Sequence, residues 1–169
     1  MEKKIILNKS QLEKCLNLES KREHIEKLNL NDNDLSYFKQ IEYLNMFYLD
    51  NEFTYKSLVN KEIKKKINCY KKQDITKKIF NEKEFINTDE ILNKLVSSKL
   101  KCYYCLKELK LIYTEVREKL QWTLDRINND IGHTEKNTVI CCLDCNIKKK
   151  RMDDEKFKFS KQVCKIKKI

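Results

Sequence analysis

Two pairs of cysteines in the C-terminal part of the chain have a spacing that favours metal binding. Cys102 and Cys105 form one Cys-x-x-Cys pair, and Cys142 and Cys145 form another. Each pair places two thiolates about one tight turn apart, and two pairs complete the tetrahedral four-sulfur site that structural zinc prefers. The alternative is four buried free thiols, but small core residues have no reason to repeat this spacing. A four-thiolate shell leaves zinc no open position, so this metal would stabilise the fold and do no chemistry.

The remaining cysteines do not extend this site. Cys141 lies beside Cys142, but Cys142 keeps the two-residue gap to Cys145, so we assign Cys142 as the ligand and Cys141 as a strand residue. Three further cysteines are unpaired by spacing and are predicted to be structural: Cys15, Cys69 and Cys164.

Two oxygen donors between and beside the cysteine pairs suit a second cation. Hydrolysis of a phosphodiester needs a cation on the phosphate, an activated water and stabilisation of the leaving oxygen. Asp125, at the end of a predicted strand, offers a carboxylate, and Asn146, at the start of a predicted helix, offers a neutral oxygen. Together they would hold one magnesium-like ion with several waters. Taken singly, Asp125 could pair with Arg126 or Arg117, and Asn146 could be a helix cap.

Residues 98–155 carry these features in a fixed order. Cys-x-x-Cys is followed by Leu-Asp-Arg-Ile-Asn-Asn, Gly-His-Thr, Asn137 and Cys-Leu-Asp-Cys-Asn-Ile-Lys-Lys. This order resembles the HNH endonuclease family with its ββα-metal core, and the four cysteines match the zinc-bearing branch of that family. The resemblance implies that Asp125 and Asn146 bind a catalytic Mg²⁺ or a similar divalent cation. It also implies that Asn137 orients the general base.

The segment departs from the family pattern at the position of the base. An Asp-His pair usually ends the first strand, but Arg126 follows Asp125 here, and an arginine with a pKa above about 12 cannot take a proton from water. His133, in a Gly-His-Thr turn where Gly132 would permit an unusual backbone angle, is the natural substitute base or an additional metal ligand. It could also be a loop residue without catalytic function. Arg126 would then clamp the scissile phosphate or stabilise its developing charge.

The predicted helix after Asn146 is strongly basic. Four cations would lie along a nucleic-acid backbone and give affinity with little sequence information: Lys148, Lys149, Lys150 and Arg151. A second basic run, residues 61–67 followed by residues 71–72 and 77–78, is either a phosphate-tracking face or a solvated helix surface. Three aromatic side chains could stack on bases, although packing around a small zinc core is the favoured interpretation: Tyr103, Tyr104 and Trp122.

The elements that must position these residues divide near Ser97. With one Gly and no Pro, residues 1–97 are predicted to be helices joined by polar turns, and residues 98–169 a small zinc-stapled ββα domain, which makes the fold class α+β. Apolar residues at helical spacing predict four buried helix faces. The first two consist of Leu12, Leu16, Ile25 and Leu28, and of Leu35, Phe38, Ile41 and Leu44. The last two consist of Leu58, Ile63 and Ile67, and of Ile91, Leu92, Leu95 and Val96. Asn87 or Thr88 should cap the last helix. Residues 110–116 and 120–124 are predicted to form a hairpin, residues 138–140 a further strand and residues 144–152 a helix.

Charge and cysteine usage limit the class of partner. The 37 Lys and Arg exceed the 26 Asp and Glu by 11, which favours a polyanionic partner such as DNA, with RNA less favoured. The chain has no apolar run long enough to span a membrane, and its opening residues are too polar for a signal peptide. We therefore expect a soluble intracellular protein in a reducing compartment, without a membrane partner.

Two functions follow as expectations. The first is a metal-dependent endonuclease that nicks or cleaves DNA, with His133 activating water. The second is a catalytically inactive zinc module that binds nucleic acid, its active site lost at Arg126. Formation of cleavage products separates the two.

Overall fold

A computed structural model describes residues 30–163 of the chain. Within this range three helices precede a two-stranded sheet, and two short helices follow it. The elements are α1 (Tyr37–Tyr48), α2 (Lys56–Thr76), α3 (Thr88–Ser97), β1 (Trp122–Arg126), β2 (Thr138–Cys142), α4 (Leu143–Lys149) and α5 (Asp154–Val163). The predicted α+β class is confirmed.

The sheet is an antiparallel pair that leads directly into α4. β1 and β2 pair so that Asp125 lies opposite Val139 and Leu124 opposite Ile140. The loop between the strands therefore contains His133. Because β2 ends where α4 begins, one continuous segment supplies the second strand, the second cysteine pair and Asn146.

The predicted hairpin between residues 110–116 and 120–124 is wrong. A single bridge joins Lys110 to Gln121. The backbone N–H groups of Leu111 and Ile112 instead donate to Oε1 of Gln40, at 2.8 and 2.9 Å. A side chain of α1 thus satisfies the donors that a hairpin would need, and no local sequence pattern reports such a partner.

The helical region matches the predicted faces in part. α2 buries Ile63, and α3 buries Ile91, Leu92 and Leu95. On α1, however, Phe38 is 84% exposed. The buried residues of α1 are Gln40, Tyr43 and Leu44. The face predicted for residues 12–28, together with His24, Cys15 and Cys164, lies outside the described residues.

Asn87 begins α3 as expected. Its side chain accepts a hydrogen bond from the backbone N–H of Glu90 at 3.0 Å, and the Glu90 carboxylate accepts one from the backbone N–H of Asn87 at 2.9 Å. This reciprocal capping box satisfies two donors that the first turn of a helix leaves unpaired. It fixes where α3 starts, at the C-terminal end of the predicted helical region.

One apolar core runs through both halves of the described chain. Buried side chains of the helical region, such as Val59 and Leu95, belong to the same cluster as Trp122, Ile140 and Phe157. The boundary near residue 97 stays a prediction, since the two sides share this core. Among residues 30–163, no helix combines the length and apolar character needed to cross a membrane.

Candidate functional site

The four predicted zinc ligands lie together. Within residues 30–163, the Sγ atoms of Cys102, Cys105, Cys142 and Cys145 all lie within 4.8 Å of one another, and all four residues are buried. Tetrahedral coordination at a Zn–S distance of 2.3 Å separates sulfurs by about 3.8 Å, and the Cys105 and Cys142 sulfurs are 3.9 Å apart. The cluster can therefore hold a metal ion without rearranging the fold.

The two halves of the cluster have different origins in the chain. Cys102 and Cys105 lie in a turn before the sheet, whereas Cys142 ends β2 and is the N-cap of α4. The Cys142 sulfur accepts a hydrogen bond from the backbone N–H of Cys145 at 3.3 Å. Cys141 points away from the cluster and contacts Oγ1 of Thr123 at 3.3 Å, as expected for a strand residue.

The thiols polarise one another strongly. Hydrogen bonds from Cys142 and Cys145 hold the pKa of Cys102 well below its ordinary value. The hydrogen bond with Cys102 raises the pKa of Cys145 in turn. One thiolate is thus stabilised by its neighbours, and a bound cation would stabilise all four.

Asp125 lies on the side of β1 that faces α4 and the turn that carries Cys102 and Cys105. Its Oδ2 accepts hydrogen bonds from the Tyr104 hydroxyl at 2.6 Å and pairs with the Lys149 ammonium at 3.0 Å. The ammonium also donates to the backbone carbonyl of Arg126 at 2.7 Å. Asp125 therefore pairs with neither Arg126 nor Arg117, and two fixed donors hold its carboxylate.

Asn146 is anchored to the same strand. Its Nδ2 donates to Oγ1 of Thr123 at 3.1 Å and to the backbone carbonyl of Leu124 at 3.0 Å. Asn146 is therefore not a helix cap, since Cys142 occupies that position in α4. The structure thus brings Asn146 to the residue that precedes Asp125.

Arg126 and His133 belong to a different group of side chains. Adjacent residues of a strand point to opposite faces, and Arg126 contacts Asp74 of α2, with 3.5 Å between Nη1 and Oδ1. His133 binds the same carboxylate through its backbone N–H at 2.6 Å and through Nδ1 at 2.8 Å. Within residues 30–163, His133 makes no hydrogen bond to Asp125 or Asn146. The structure does not bring the predicted base to the predicted cation site.

The Asp74 group is closed to solvent. Asp74 is fully buried, His133 is 3% exposed and Arg126 5% exposed. The His133 ring stacks on Tyr70, with 4.7 Å between centroids. Burial lowers the pKa of His133, although Asp74 opposes this shift. Arg126 is thus a structural ion-pair partner in this conformation, and a phosphate would have no access to it.

Gly132 and Asn137 shape the loop that carries His133. No glycine of the described residues has a positive φ, so the predicted unusual backbone angle at Gly132 is wrong. The reason for glycine is crowding, because a Cβ there would lie 2.7 Å from the Ile79 carbonyl and 2.9 Å from Asp74 Oδ2. Nδ2 of Asn137 donates to the Gly132 carbonyl at 3.0 Å. Asn137 thereby holds the backbone beside His133.

The four predicted nucleic-acid contacts separate into two kinds. Lys148, Lys150 and Arg151 are exposed, and Lys148 pairs with Asp144 at 2.8 Å. Lys149 is fully buried, so the prediction that it lies along a nucleic-acid backbone is wrong. The predicted helix also ends earlier than residue 152, because the backbone turns at Lys150, where φ is 53°.

The aromatic side chains pack as the favoured interpretation expected. Trp122 and Tyr104 are fully buried. Tyr103 is half-buried, with the Lys158 ammonium 4.1 Å from its ring centroid. Trp122 likewise has the Lys66 ammonium 5.1 Å from its ring centroid.

Sequence reasoning missed three residues of this region. The sequence predicts a nucleic-acid contact for Lys149, packing or base stacking for Tyr104, and no role for Asp74. A signal for Asp74 existed in the four-residue spacing of Lys66, Tyr70 and Asp74, which are the buried polar residues of one side of α2. Polar residues at helical spacing are usually solvated, so this pattern alone did not indicate burial.

Comparisons with known proteins do not add a relative. No protein-family model, no curated protein and no solved structure matches the chain.

Proposed function

We propose that this chain is a metal-dependent DNA endonuclease of the HNH type, in which Asp125 and Asn146 bind the catalytic divalent cation. The proposal places a structural zinc ion in the four-cysteine cluster. Four thiolates suit zinc better than harder cations, and they leave it no position for substrate. The zinc would fix the turn before the sheet to the start of α4, and so hold Tyr104 and Asn146 against β1.

The observation that carries the proposal is the way Asp125 and Asn146 are held. Each is anchored through one terminal atom, Oδ2 of Asp125 and Nδ2 of Asn146. The other terminal atom of each is Oδ1, and within residues 30–163 neither Oδ1 makes a hydrogen bond. Anchoring of this kind orients ligands for a metal. Two oxygens plus several waters match the coordination that Mg²⁺ takes in proteins.

The roles of the chain's own residues follow from these contacts. A divalent cation bound there would polarise the scissile phosphate and stabilise its developing charge. Tyr104 and Lys149 fix the Asp125 carboxylate in one orientation. Thr123 and the Leu124 carbonyl fix the Asn146 amide. His133 and Arg126 act at the opposite side of β1, where they join the strand to α2.

A second function is favoured by the position of His133. A nuclease of this kind uses a general base near the cation, and within the described residues His133 is bound to Asp74 instead. A zinc-stapled protein that binds nucleic acid without cleaving it fits this arrangement. This second function uses the same contacts as the first, but it predicts that no cleavage product forms.

A plasmid-nicking assay distinguishes the endonuclease from the non-cleaving nucleic-acid-binding protein. Full-length zinc-loaded protein with Mg²⁺ or Mn²⁺ should convert supercoiled DNA to the nicked form, and Asp125→Asn should lower the rate at least 100-fold, a usual effect of losing a metal ligand. Asp144→Asn is the matched control, since it removes a half-buried carboxylate of α4 that pairs with Lys148 and should leave the rate unchanged. His133→Asn should retain most activity per folded molecule.

Other results of the same assay would contradict the endonuclease proposal. Absence of cleavage by the wild-type protein with either cation contradicts the endonuclease proposal. Salt-dependent DNA binding that Asp125→Asn leaves unchanged would then support the second function.

A further inference from the structure

The turn after α4 has a backbone conformation that disfavours its residue. Lys150 has φ of 53° and ψ of −115°, close to the values of about +60° and −120° at the first central position of a type II′ turn. The backbone N–H of Met152 donates to the Lys149 carbonyl at 2.9 Å and closes this turn. Glycine is the preferred residue at that position, because a Cβ is strained there. The chain places a lysine where glycine would be easier to accommodate.

The turn is held in place from its two sides. The buried Lys149 ammonium binds the Arg126 carbonyl and Asp125. Across from it, Nδ2 of Asn129 donates to the Lys150 carbonyl at 3.1 Å. The loop between the strands and the core beneath α4 therefore both fix the turn.

Two cations remain exposed at the tip of this turn. Lys150 and Arg151 are both exposed, and neither makes an ion pair or a side-chain hydrogen bond within residues 30–163. Lys148, one turn back on α4, differs because it is neutralised by Asp144. The tip thus presents two adjacent uncompensated positive charges on a rigid support.

We infer that Lys150 and Arg151 dock the phosphodiester backbone of duplex DNA, and that Lys150 is kept at a strained position for its charge. Strain persists where the surrounding structure fixes it, and it concentrates at functional positions. A lysine supplies a point charge and an arginine a planar fork, and both bind phosphate oxygens. The net charge of +11 fits the same polyanion. This inference rests on the nucleic-acid partner of the proposed function and assigns the surface that binds it.

Lys150→Gly and Lys99→Gly form a matched pair of variants. Lys99 is also exposed and also has a positive φ, 50°, just beyond the end of α3. Each substitution removes one positive charge and relieves the backbone strain that a side chain causes at a positive φ. Both variants should therefore raise the melting temperature, by about 2 °C or more. Only Lys150→Gly should lose a phosphate contact.

Fluorescence anisotropy measures how tightly the full chain binds a labelled DNA duplex at salt concentrations from about 50 to 200 mM. The slope of the logarithm of the binding constant against the logarithm of the salt concentration reports the number of counterions released. Lys150→Gly should weaken binding by about threefold to tenfold and reduce the log–log salt slope by about one. Lys99→Gly and the charge-preserving Lys150→Arg should bind like the wild type. A variant that is more stable and binds less tightly cannot owe its weaker binding to unfolding.

Three results would overturn the inference. If Lys150→Gly and Lys99→Gly bind equally to DNA that the wild type binds and nicks, the proposed function stands and the assigned surface fails. If the wild type shows no salt-dependent binding to the duplex, the nucleic-acid partner itself fails. Preferential binding to an RNA duplex of the same length would replace DNA as the occupant.

Discussion

The carboxylates on the two sides of β1, Asp125 and Asp74, differ in how completely they are paired. On one side, Asp125 and Asn146 are each anchored through one atom and keep one oxygen without a hydrogen bond among the described residues. On the other side, Asp74 of α2 accepts from His133 twice and pairs with Arg126. Adjacent residues of one strand thus contribute to the proposed cation site and to a group that is closed to solvent. The proposal therefore assigns chemistry and fold stability to different faces of the same five-residue strand.

The contacts between α2 and β1 follow a regular geometry. α2 runs along β1, and residues four apart on the helix meet residues two apart on the strand. The three contacts pair Lys66 with Trp122, Tyr70 with Leu124 and Asp74 with Arg126. A helix rise of about 6 Å per four residues and a strand rise of about 6.6 Å per two residues keep these contacts in register. The helical region therefore does more than extend the zinc module, because it completes one face of the sheet.

Asp74→Ala should have the largest effect on stability. It leaves Arg126 buried without a counter-charge and removes both acceptors of His133, and breaking a buried pair in this way costs about 3–5 kcal/mol. Chemical denaturation of the variant measures the loss. Nicking and DNA binding by the fraction that remains folded should be unchanged, since the Asp125 side is untouched.

Glu52→Ala is the control for Asp74→Ala. Glu52 pairs with Lys56 at the surface, and its side chain is 87% exposed, so its loss should change the free energy of unfolding by less than about 1 kcal/mol. Equal destabilisation by the two substitutions would contradict the special role of the buried carboxylate. Loss of nicking by folded Asp74→Ala protein would show that the two sides of β1 do not act separately.

Gly132→Ala should have an intermediate effect. The added Cβ would meet the Ile79 carbonyl and the Asp74 carboxylate, both closer than 3.0 Å, and such overpacking typically costs about 1–3 kcal/mol. Asp130→Ala, in the same loop but exposed, should change stability by less than about 0.5 kcal/mol. Thermal unfolding of both variants measures the difference. A neutral Gly132→Ala would mean that the loop does not press against α2 as described.

The sequence predicted the parts of this molecule that local patterns encode. The cysteine spacing located a four-sulfur cluster, and Asn87 with Glu90 located the start of α3. The partners of α2 could not be predicted in this way, because 59 residues separate Asp74 from His133, and periodicity does not report which strand a helix packs on. Lys149 was misassigned for a related reason. Four consecutive basic residues cannot be distinguished by sequence pattern. Which of their side chains is buried depends on where α4 ends.

His133→Asn should have the smallest effect, and one that depends on pH. Burial lowers the pKa of His133 in the folded chain, whereas in the unfolded chain it titrates near its ordinary value of about 6.5. Below about pH 6.5 the unfolded state therefore binds more protons, and the free energy of unfolding falls with decreasing pH, by at most about 1.4 kcal/mol per pH unit for one group. Asparagine does not titrate, and its amide can still donate to Asp74. Guanidinium unfolding between pH 5 and 8 should thus give a wild-type curve that falls towards acid and a flatter one for His133→Asn. Because the Asp125 side would be unaffected, the nicking rates of the two folded proteins should keep a constant ratio over this range, and a ratio that changes with pH would return His133 to the role of general base.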